Sequence, residues 1–252
     1  DLSFVGSVFF CLLASRELCL DFAHQEGNMR SRQRDQELKI RAVLWDLDGT
    51  LVQTEQLHWE LERSVLAEQG ITLEPAEFQA GMGRRTEDVL FDVLDRAGRG
   101  DLLPAVLASR AAKVQEIIVN RALPIRGVES TLADIPMRTH RFALVTSTER
   151  AIATAILERF GWSWRFEHVV AGDDVEKGKP DPEPFLRACE LLELPPDRTL
   201  VVEDSPNGIA AARAAGCRVA GLVGPDGPDG LREAHYILSN PGAVISLLEV
   251  LK

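Results

Sequence analysis

The sequence predicts an α/β fold, with a doubly wound parallel sheet as its core and an inserted all-helical domain. Several short apolar runs each end in a polar residue and are followed by residues at helical spacing. These runs cover residues 42–45, 142–145, 168–171, 199–202 and 219–223. Continuous apolar strands that alternate with helices are typical of a parallel sheet covered on both faces.

The inserted domain is predicted from a long stretch between the first two apolar runs. Its apolar residues recur at helical spacing, for example at Leu57 and Leu61. The stretch is too long for a strand crossover and too helical for a loop. We therefore predict a core formed by residues 39–54 and 126–252 and a helical cap domain at residues 55–125.

Composition and charge restrict the classes of partner. The 252 residues are 45% hydrophobic, which is enough to bury a core together with a smaller inserted domain. Lys and Arg total 28 against 39 Asp and Glu, so the formal net charge is -11. This charge repels nucleic-acid backbones and anionic membrane surfaces, and we predict neither as a partner. It also repels anionic substrates, so a phosphate site has to be built locally.

Residues 1–38 are predicted to be an extension without a functional role. The apolar run at residues 4–15 follows no basic stretch and is too short to span a bilayer. Met29 opens a polar stretch that leads to the first strand, so residues 1–28 are expected to lie upstream of the natural start or to be loosely attached. The four cysteines show no metal-binding spacing, which favours reduced thiols and a cytoplasmic protein.

Two carboxylates, Asp46 and Asp48, follow the first predicted strand, and Gly49 allows the chain to turn sharply there. In open α/β sheets, ligands bind beyond the carboxyl ends of the strands. A carboxylate in this position can attack phosphorus and form an aspartyl-phosphate, and a second one can protonate the leaving oxygen and then activate water. A surface Asp-Gly turn is the alternative interpretation of this hexapeptide alone.

Polar residues follow three other predicted strands. Thr146 ends one of them with a hydroxyl that can bind a phosphoryl oxygen or, alternatively, cap a helix. Lys179 lies in a Gly-Lys-Pro-Asp-Pro segment, where prolines restrict the chain and a cation can offset phosphoryl charge. Glu203 and Asp204 precede a helix with Ser205 as its N-cap, and adjacent acids at a strand end suit Mg²⁺.

In this order and at these separations, the four motifs resemble those of the haloacid dehalogenase superfamily. The resemblance covers about residues 40–240 and implies a Rossmann-like core. It also implies that Asp46 is the nucleophile and Asp48 the general acid/base. Thr146 and Lys179 take the roles of groups that bind the phosphoryl group.

The same resemblance implies a Mg²⁺ cofactor, held by the carboxylates of Asp46, Glu203 and Asp204 and by the backbone carbonyl of Asp48. The dehalogenase and phosphonatase branches lack an acid at the position of Asp48, so phosphate-ester chemistry is favoured. The predicted function is Mg²⁺-dependent hydrolysis of a small phosphorylated metabolite, of the sugar phosphate or phosphoglycolate type, through an aspartyl-phosphate.

The cap resembles the helical C1 type of phosphoglycolate phosphatases, small sugar-phosphate phosphatases and β-phosphoglucomutases. Residues 81–86 resemble the loop that selects substrates there, so Gly81 and Arg84 are assigned to substrate binding. Arg84 is expected at the non-reacting end of the substrate, although an exposed charge before a helix is its alternative interpretation. Ser147 and His58 complete the predicted substrate site.

Two alternatives to a phosphatase stay open. Thr54 and His58 fall where the mutases have a hinge Thr and a His that positions the acid/base, whereas Thr50 stands where the mutases commonly have Val. Gln53 replaces an Asp that most relatives of both kinds have. A non-catalytic binding protein of the same fold is the other alternative. Such a chain is expected to have lost part of the catalytic set, and none of it is missing. We expect a monomer or a weak dimer.

Overall fold

The computed structural model describes residues 20–21, 39–137, 139–225 and 227–251. The strands in this part of the chain are β1 (Leu20–Asp21), β2 (Ala42–Trp45), β3 (Val52–Gln53), β4 (Leu123–Pro124), β5 (Arg141–Val145), β6 (His168–Val170), β7 (Thr199–Glu203), β8 (Arg218–Leu222) and β9 (Tyr236–Leu238). Strand β1 is the part of the predicted extension that the structure describes, and it pairs antiparallel with β9. The rest of residues 1–38, with Cys11 and Cys19, lies outside the described residues.

The main sheet has the order β1-β9-β8-β7-β2-β5-β6. All pairs from β9 to β6 are parallel. Each of the five predicted runs is a strand of this sheet, with ends that differ by one residue at most. The doubly wound α/β core is therefore confirmed. The short strand β9 was not predicted, because three residues carry too little pattern to stand out.

Helices cover both faces of the sheet and fill the insertion. They are α1 (Glu55–Ala67), α2 (Pro75–Gly81), α3 (Thr86–Arg96), α4 (Leu103–Val114), α5 (Val128–Asp134), α6 (Arg150–Phe160), α7 (Glu183–Leu191), α8 (Pro206–Ala214) and α9 (Ala243–Val250), with a π-helical turn at Gln115–Val119. Among the described helices, none has the length and hydropathy needed to cross a bilayer.

Strand β2 lies in the middle of the sheet, and all four of its side chains are buried. Val43 and Trp45 belong to the larger apolar cluster on one side, while Ala42 and Leu44 pack with the helices on the other. Burial on both faces explains why this strand is an unbroken apolar run. The loop after Trp45 consequently begins at a fixed position on the sheet edge.

The stretch between β3 and β4 is helical, as the periodicity predicts, and is called the cap segment below (residues 55–125). Its two ends meet, because Val52 pairs with Pro124 and Gln53 with Leu123 in a small antiparallel sheet. The chain therefore leaves the core and returns to it at one place, just beyond β2. The division into a core and a cap domain at the stated boundaries stays a prediction.

Candidate active site

The site lies at the carboxyl ends of the parallel strands β2, β5 and β7. Asp46 follows β2 directly, Thr146 follows β5, and Glu203 is the last residue of β7. The registers pair Trp45 with both Leu144 and Val202, so these strand ends are level. Polar residues that are far apart in the sequence therefore meet at one edge.

The loop after β2 turns back at Gly49, which has a φ of +78°. Its amide donates to the Val52 carbonyl at 2.8 Å, which closes the turn. A Cβ atom at this position would lie 1.8 Å from Asp204 Oδ2. Glycine is therefore needed both for the backbone conformation and for the close approach of the Asp204 carboxylate.

Lys179 is the buried cation of the site, with 2% of its surface exposed. Its Nζ donates to Asp46 Oδ1 at 2.6 Å, to Glu203 Oε1 at 2.7 Å and to the Val145 carbonyl at 3.1 Å. Burial lowers the pKa of Lys179, but the charges of Asp46 and Glu203 and its hydrogen bonds to them raise this pKa above its usual value. The ammonium group is therefore charged and fixed beside Asp46.

Glu203 is fully buried and accepts several hydrogen bonds. Its Oε2 accepts from the amides of Asp204 and Ser205, both at 2.8 Å, and from the Ser205 hydroxyl at 2.9 Å. Oε1 accepts from Lys179 and keeps one acceptor site, because each carboxylate oxygen has two lone pairs. Glu203 thus orients Lys179 and retains limited capacity for a cation.

Three carboxylates of the site crowd together. Asp46, Glu203 and Asp204 each offer an oxygen, and these oxygens lie within 4.8 Å of one another. Burial, together with the neighbouring charges of Glu203 and Asp48, raises the pKa of Asp46 despite Lys179. Burial and the charges of Glu203 and Asp46 raise the pKa of Asp204 in the same way. Lys179 alone does not balance this negative charge, and a hard divalent cation with oxygen ligands fits the cluster.

Asp48 has a different environment from Asp46. Its Oδ1 accepts from the Thr54 hydroxyl at 2.6 Å and lies 3.2 Å from His58 Nε2, and its Oδ2 accepts from the Thr148 hydroxyl at 2.7 Å. Burial raises the pKa of Asp48, but the His58 contact and the two hydroxyls hold it below the usual value. The pKa of Asp46 is thus raised and that of Asp48 lowered, although the two residues belong to one loop.

His58 is correspondingly held in its charged form. Burial lowers its pKa, but its contacts with Asp48 and Glu62 raise the pKa to about 9. Glu62 Oε1 lies 3.8 Å from His58 Nδ1. Asp48 and His58 therefore form a carboxylate–imidazolium pair that shares one proton beside the loop after β2.

A cavity of about 100 Å³ separates these carboxylates from the cap segment. Seven of the predicted site residues line it: Asp46, Asp48, His58, Gly81, Arg84, Ser147 and Asp204. On the cap side, apolar residues such as Leu73 and Phe78 line the cavity together with polar ones such as Glu55 and Glu62. Lys179, Thr146 and Glu203 do not line the cavity.

The loop between α2 and α3 rests on the core. Asn207 Nδ2 donates to the carbonyls of Ala80 at 3.1 Å and Met82 at 2.8 Å, and the Ser147 hydroxyl donates to the Gly83 carbonyl at 2.6 Å. Ser147 thus uses its hydroxyl to hold this loop. These hydrogen bonds hold the loop between α2 and α3 against the core beside the cavity.

The family model of haloacid dehalogenase-like hydrolases matches residues 43–222, which include every polar residue of the sheet edge described above. The chain belongs to this family. The predicted family is therefore confirmed. The residues of the loop after β2 and those at the end of β7 lie in the matched region.

Several curated relatives of the chain are phosphatases, which confirms the predicted enzyme class. The chain is 38% identical to a plasmid-encoded phosphoglycolate phosphatase of Cupriavidus necator over 77% of this chain and 87% of the relative. It is 30% identical to the phosphorylated carbohydrates phosphatase of Thermotoga maritima over 83% and 99% of the two chains. A β-phosphoglucomutase structure from Clostridium difficile shares the fold, with a TM-score of 0.72, 21% identity and coverage of 84% and 97%.

Two of the predicted site residues, Arg84 and Thr146, make contacts that their motifs did not indicate. Arg84 Nη1 lies 2.8 Å from Asp92 Oδ2 on α3, so the guanidinium is paired within the cap segment while it lines the cavity. Thr146 Oγ1 accepts from the Thr148 amide at 3.0 Å and lies 3.5 Å from Asp48 Oδ2. Their roles toward a substrate stay predictions.

Sequence reasoning missed several residues around Asp48. Thr148 follows Thr146 by two positions, and Glu62 follows His58 by one helical turn, so local spacing was a usable signal for both. Arg110 donates to Glu62 Oε1 at 2.9 Å and to Glu149 Oε1 at 2.7 Å. Arg110 and Glu149 are 39 residues apart, and neither belongs to a motif. No local signal points to this pair.

Proposed function

We propose that this chain is a Mg²⁺-dependent phosphatase that hydrolyses a small phosphorylated metabolite through an aspartyl-phosphate. The observation that carries the proposal is the opposite environment of the two carboxylates of one loop. Asp46 faces Lys179 and an acidic cluster, whereas Asp48 faces His58 and two hydroxyls. A lysine ammonium beside Asp46 favours the ionised carboxylate that a nucleophile needs, and His58 beside Asp48 supplies the proton that an acid/base needs.

Asp46 is proposed as the nucleophile. It lines the cavity, and its Oδ1 is held by Lys179, which leaves Oδ2 for attack on phosphorus. Lys179 is charged, and its positive charge stabilises the charge that develops on the phosphoryl oxygens. The bond from Asp46 to phosphorus forms as the bond to the leaving oxygen breaks, and the product is an aspartyl-phosphate.

The acidic cluster supports a Mg²⁺ site with Asp46, Asp204 and the remaining lone pair of Glu203 as side-chain donors, and with the Asp48 carbonyl as predicted. When bound, Mg²⁺ offsets negative charge on the carboxylates and on the phosphoryl group. Asp204 is held in place by the Thr50 hydroxyl, which donates to its Oδ1 at 3.1 Å. The close approach at Gly49 keeps Asp204 next to the nucleophile loop.

The Asp48–His58 pair is proposed to handle the proton. One proton lies between the two groups, and Asp48 lines the cavity where the leaving oxygen departs. Transfer of that proton through Asp48 to the leaving oxygen gives the free alcohol. The carboxylate of Asp48 then removes a proton from water, which attacks the aspartyl-phosphate and releases phosphate.

The position and lining of the cavity support a small substrate. The cavity lies between the carboxylates of the sheet edge and the cap segment, which bounds the space for the leaving group on its far side. Arg84 lines the cap side and is proposed to contact a polar or anionic group at the far end, in exchange for part of its contact with Asp92. Sugar phosphates and phosphoglycolate-type esters are the proposed class. A cytoplasmic monomer or weak dimer stays our prediction.

β-Phosphoglucomutase-type transfer is the second candidate, because both Thr54 and His58 contact the Asp48 carboxylate, as expected for a mutase. A non-catalytic binding protein is disfavoured. A buried cluster of acids around one lysine is costly to maintain without a function.

The test is phosphate release from 2-phosphoglycolate, hexose phosphates and β-glucose 1-phosphate, with Mg²⁺ and with a chelator. Release that the chelator abolishes supports the phosphatase. Conversion of β-glucose 1-phosphate to glucose 6-phosphate without net phosphate release would establish the mutase instead. Absence of any turnover with Mg²⁺ would refute both and favour the binding protein.

A further inference from the structure

A series of charged side chains runs from the core into the cap segment and back to the core. Asp48 Oδ1 lies 3.2 Å from His58 Nε2. His58 and Glu62 both lie on α1, and His58 Nδ1 is 3.8 Å from Glu62 Oε1. The same Glu62 oxygen accepts from Arg110 Nε at 2.9 Å. Arg110 Nη1 lies 2.7 Å from Glu149 Oε1. Asp48 and Glu149 belong to the core, and the three residues between them to the cap segment.

The middle of this series is buried. Arg110, on α4, is 2% exposed, and Glu62 is 4% exposed. Separation of a buried guanidinium from its carboxylate leaves an uncompensated charge, so such a pair keeps one geometry. Glu62 Oε2 has no hydrogen-bond partner in the described structure. The orientation of Glu62 therefore depends on the contacts of its Oε1 with Arg110 and His58.

Glu149 is the core residue at the far end of this series from Asp48. It follows Thr148, whose hydroxyl donates to Asp48, and it directly precedes α6. Its side chain makes no capping hydrogen bond to α6. It is 39% exposed and lies 2.7 Å from Arg110 Nη1. The contact with Arg110 thus crosses between the core and the cap segment.

We propose that Glu149 is a positioning residue for the acid/base pair, which it serves through Arg110, Glu62 and His58. The proposal rests on the proposed phosphatase function. Glu149 fixes one side of the Arg110 guanidinium, and Arg110 fixes Glu62. Glu62 then keeps the His58 ring directed at Asp48. Without Glu149, Arg110 and Glu62 can shift together, and the proton shared by His58 and Asp48 is less well placed for the leaving oxygen.

Leaving-group dependence separates this role from a structural one. An alkoxide needs a proton as it leaves, whereas p-nitrophenolate is a stable anion and needs little protonation. The quantity kcat/KM reports the steps up to aspartyl-phosphate formation. We expect Glu149→Gln to lower kcat/KM for an alkyl phosphate about fivefold, the size typical of a partly exposed ion pair, and for p-nitrophenyl phosphate less than about twofold.

The matched control is Glu167→Gln. Glu167 is also a core residue, its side chain is 34% exposed, and it lies 2.6 Å from an arginine, Arg141. This substitution removes a similar ion pair that has no contact with the site, so both rates should stay at the wild-type level. An equal loss for both esters in Glu149→Gln would mean that Glu149 merely holds the cap segment, and it would overturn the proposal.

A double-mutant cycle with His58→Gln supplies the second test. If Glu149 acts through His58, Glu149→Gln causes no further loss in the His58→Gln background. Losses that multiply in the double variant would overturn the proposal. Wild-type protein that releases phosphate from neither ester would refute the proposed function, and this proposal would fall with it.

Discussion

Lys179 Nζ lies 2.6 Å from Asp46 Oδ1, and both side chains are almost completely buried. The two residues are 133 positions apart: Asp46 directly follows β2, and Lys179 lies in the loop before α7. The burial of Asp46 disfavours its charge, and Lys179 offsets only part of that effect. A cation bound beside Asp46, the proposed nucleophile, would offset the rest of that effect.

Asp46→Asn should abolish phosphate release while the fold is retained. The amide cannot form the aspartyl-phosphate, so the rate should fall by about three orders of magnitude or more. The folded state disfavours the Asp46 charge, so the free energy of unfolding should stay the same or rise. A malachite-green phosphate assay and urea unfolding measure the two quantities. Asp197→Asn, at an exposed position of the short 3₁₀ helix Pro196–Arg198, is the control. Normal turnover by Asp46→Asn would refute the mechanism.

Lys179→Met should destabilise the protein as well as inactivate it. Removal of the buried cation leaves Asp46 and Glu203 without their shared partner, which typically costs about 3–5 kcal/mol. The free energy of unfolding from urea titration measures the loss. The double variant Lys179→Met with Asp46→Asn should recover part of it, because one unpaired charge is gone. A single variant as stable as the wild type would contradict the role given to this lysine.

Mg²⁺ should stabilise the folded protein through Asp204. A ligand that binds only the folded state adds about 2.7 kcal/mol at 100 times its Kd, so the Tm should rise with Mg²⁺ and fall back with a chelator. Asp204→Asn should require much more Mg²⁺ for the same rise in Tm. Asp229→Asn serves as the control, since the Asp229 side chain is 86% exposed. An unchanged Mg²⁺ response in Asp204→Asn would exclude this carboxylate as a ligand.

Gly83→Ala should impair catalysis more than its effect on stability suggests. Gly83 has a φ of +79°, and a Cβ there would lie 2.1 Å from Ser205 Oγ, so the loop has to move off the core. Gly70, with a φ of +71° and no atom within 4 Å of its Cβ position, provides the matched control. Both substitutions should lower the free energy of unfolding by about 1–2 kcal/mol through backbone strain. Only Gly83→Ala should lower kcat/KM. Equal catalytic losses in the two variants would show that the contact of the Gly83 loop with the core has no part in catalysis.

Much of the fold was predictable because its signals are local. The run at residues 42–45 is apolar at every position since β2 is buried on both faces, and Ser205 caps α8 through the Gly208 amide, as its sequence indicates. The insertion was visible because it follows the first strand directly. The substrate roles of Arg84 and Ser147 could not be derived, because they depend on side-chain direction. Both residues line the cavity, yet their polar atoms contact other protein groups.

The sequence by itself determined that four polar motifs follow buried strands, and hence that their carboxylates and lysine meet at one sheet edge. Strand length, turn chemistry and alternation with helices are properties of neighbouring residues. Only the tertiary structure decided the partners: Lys179 pairs with Asp46, His58 with Asp48, and Arg110 with Glu149. The charge state and orientation of each group depend on burial and on atoms brought from distant positions, and no local pattern encodes them.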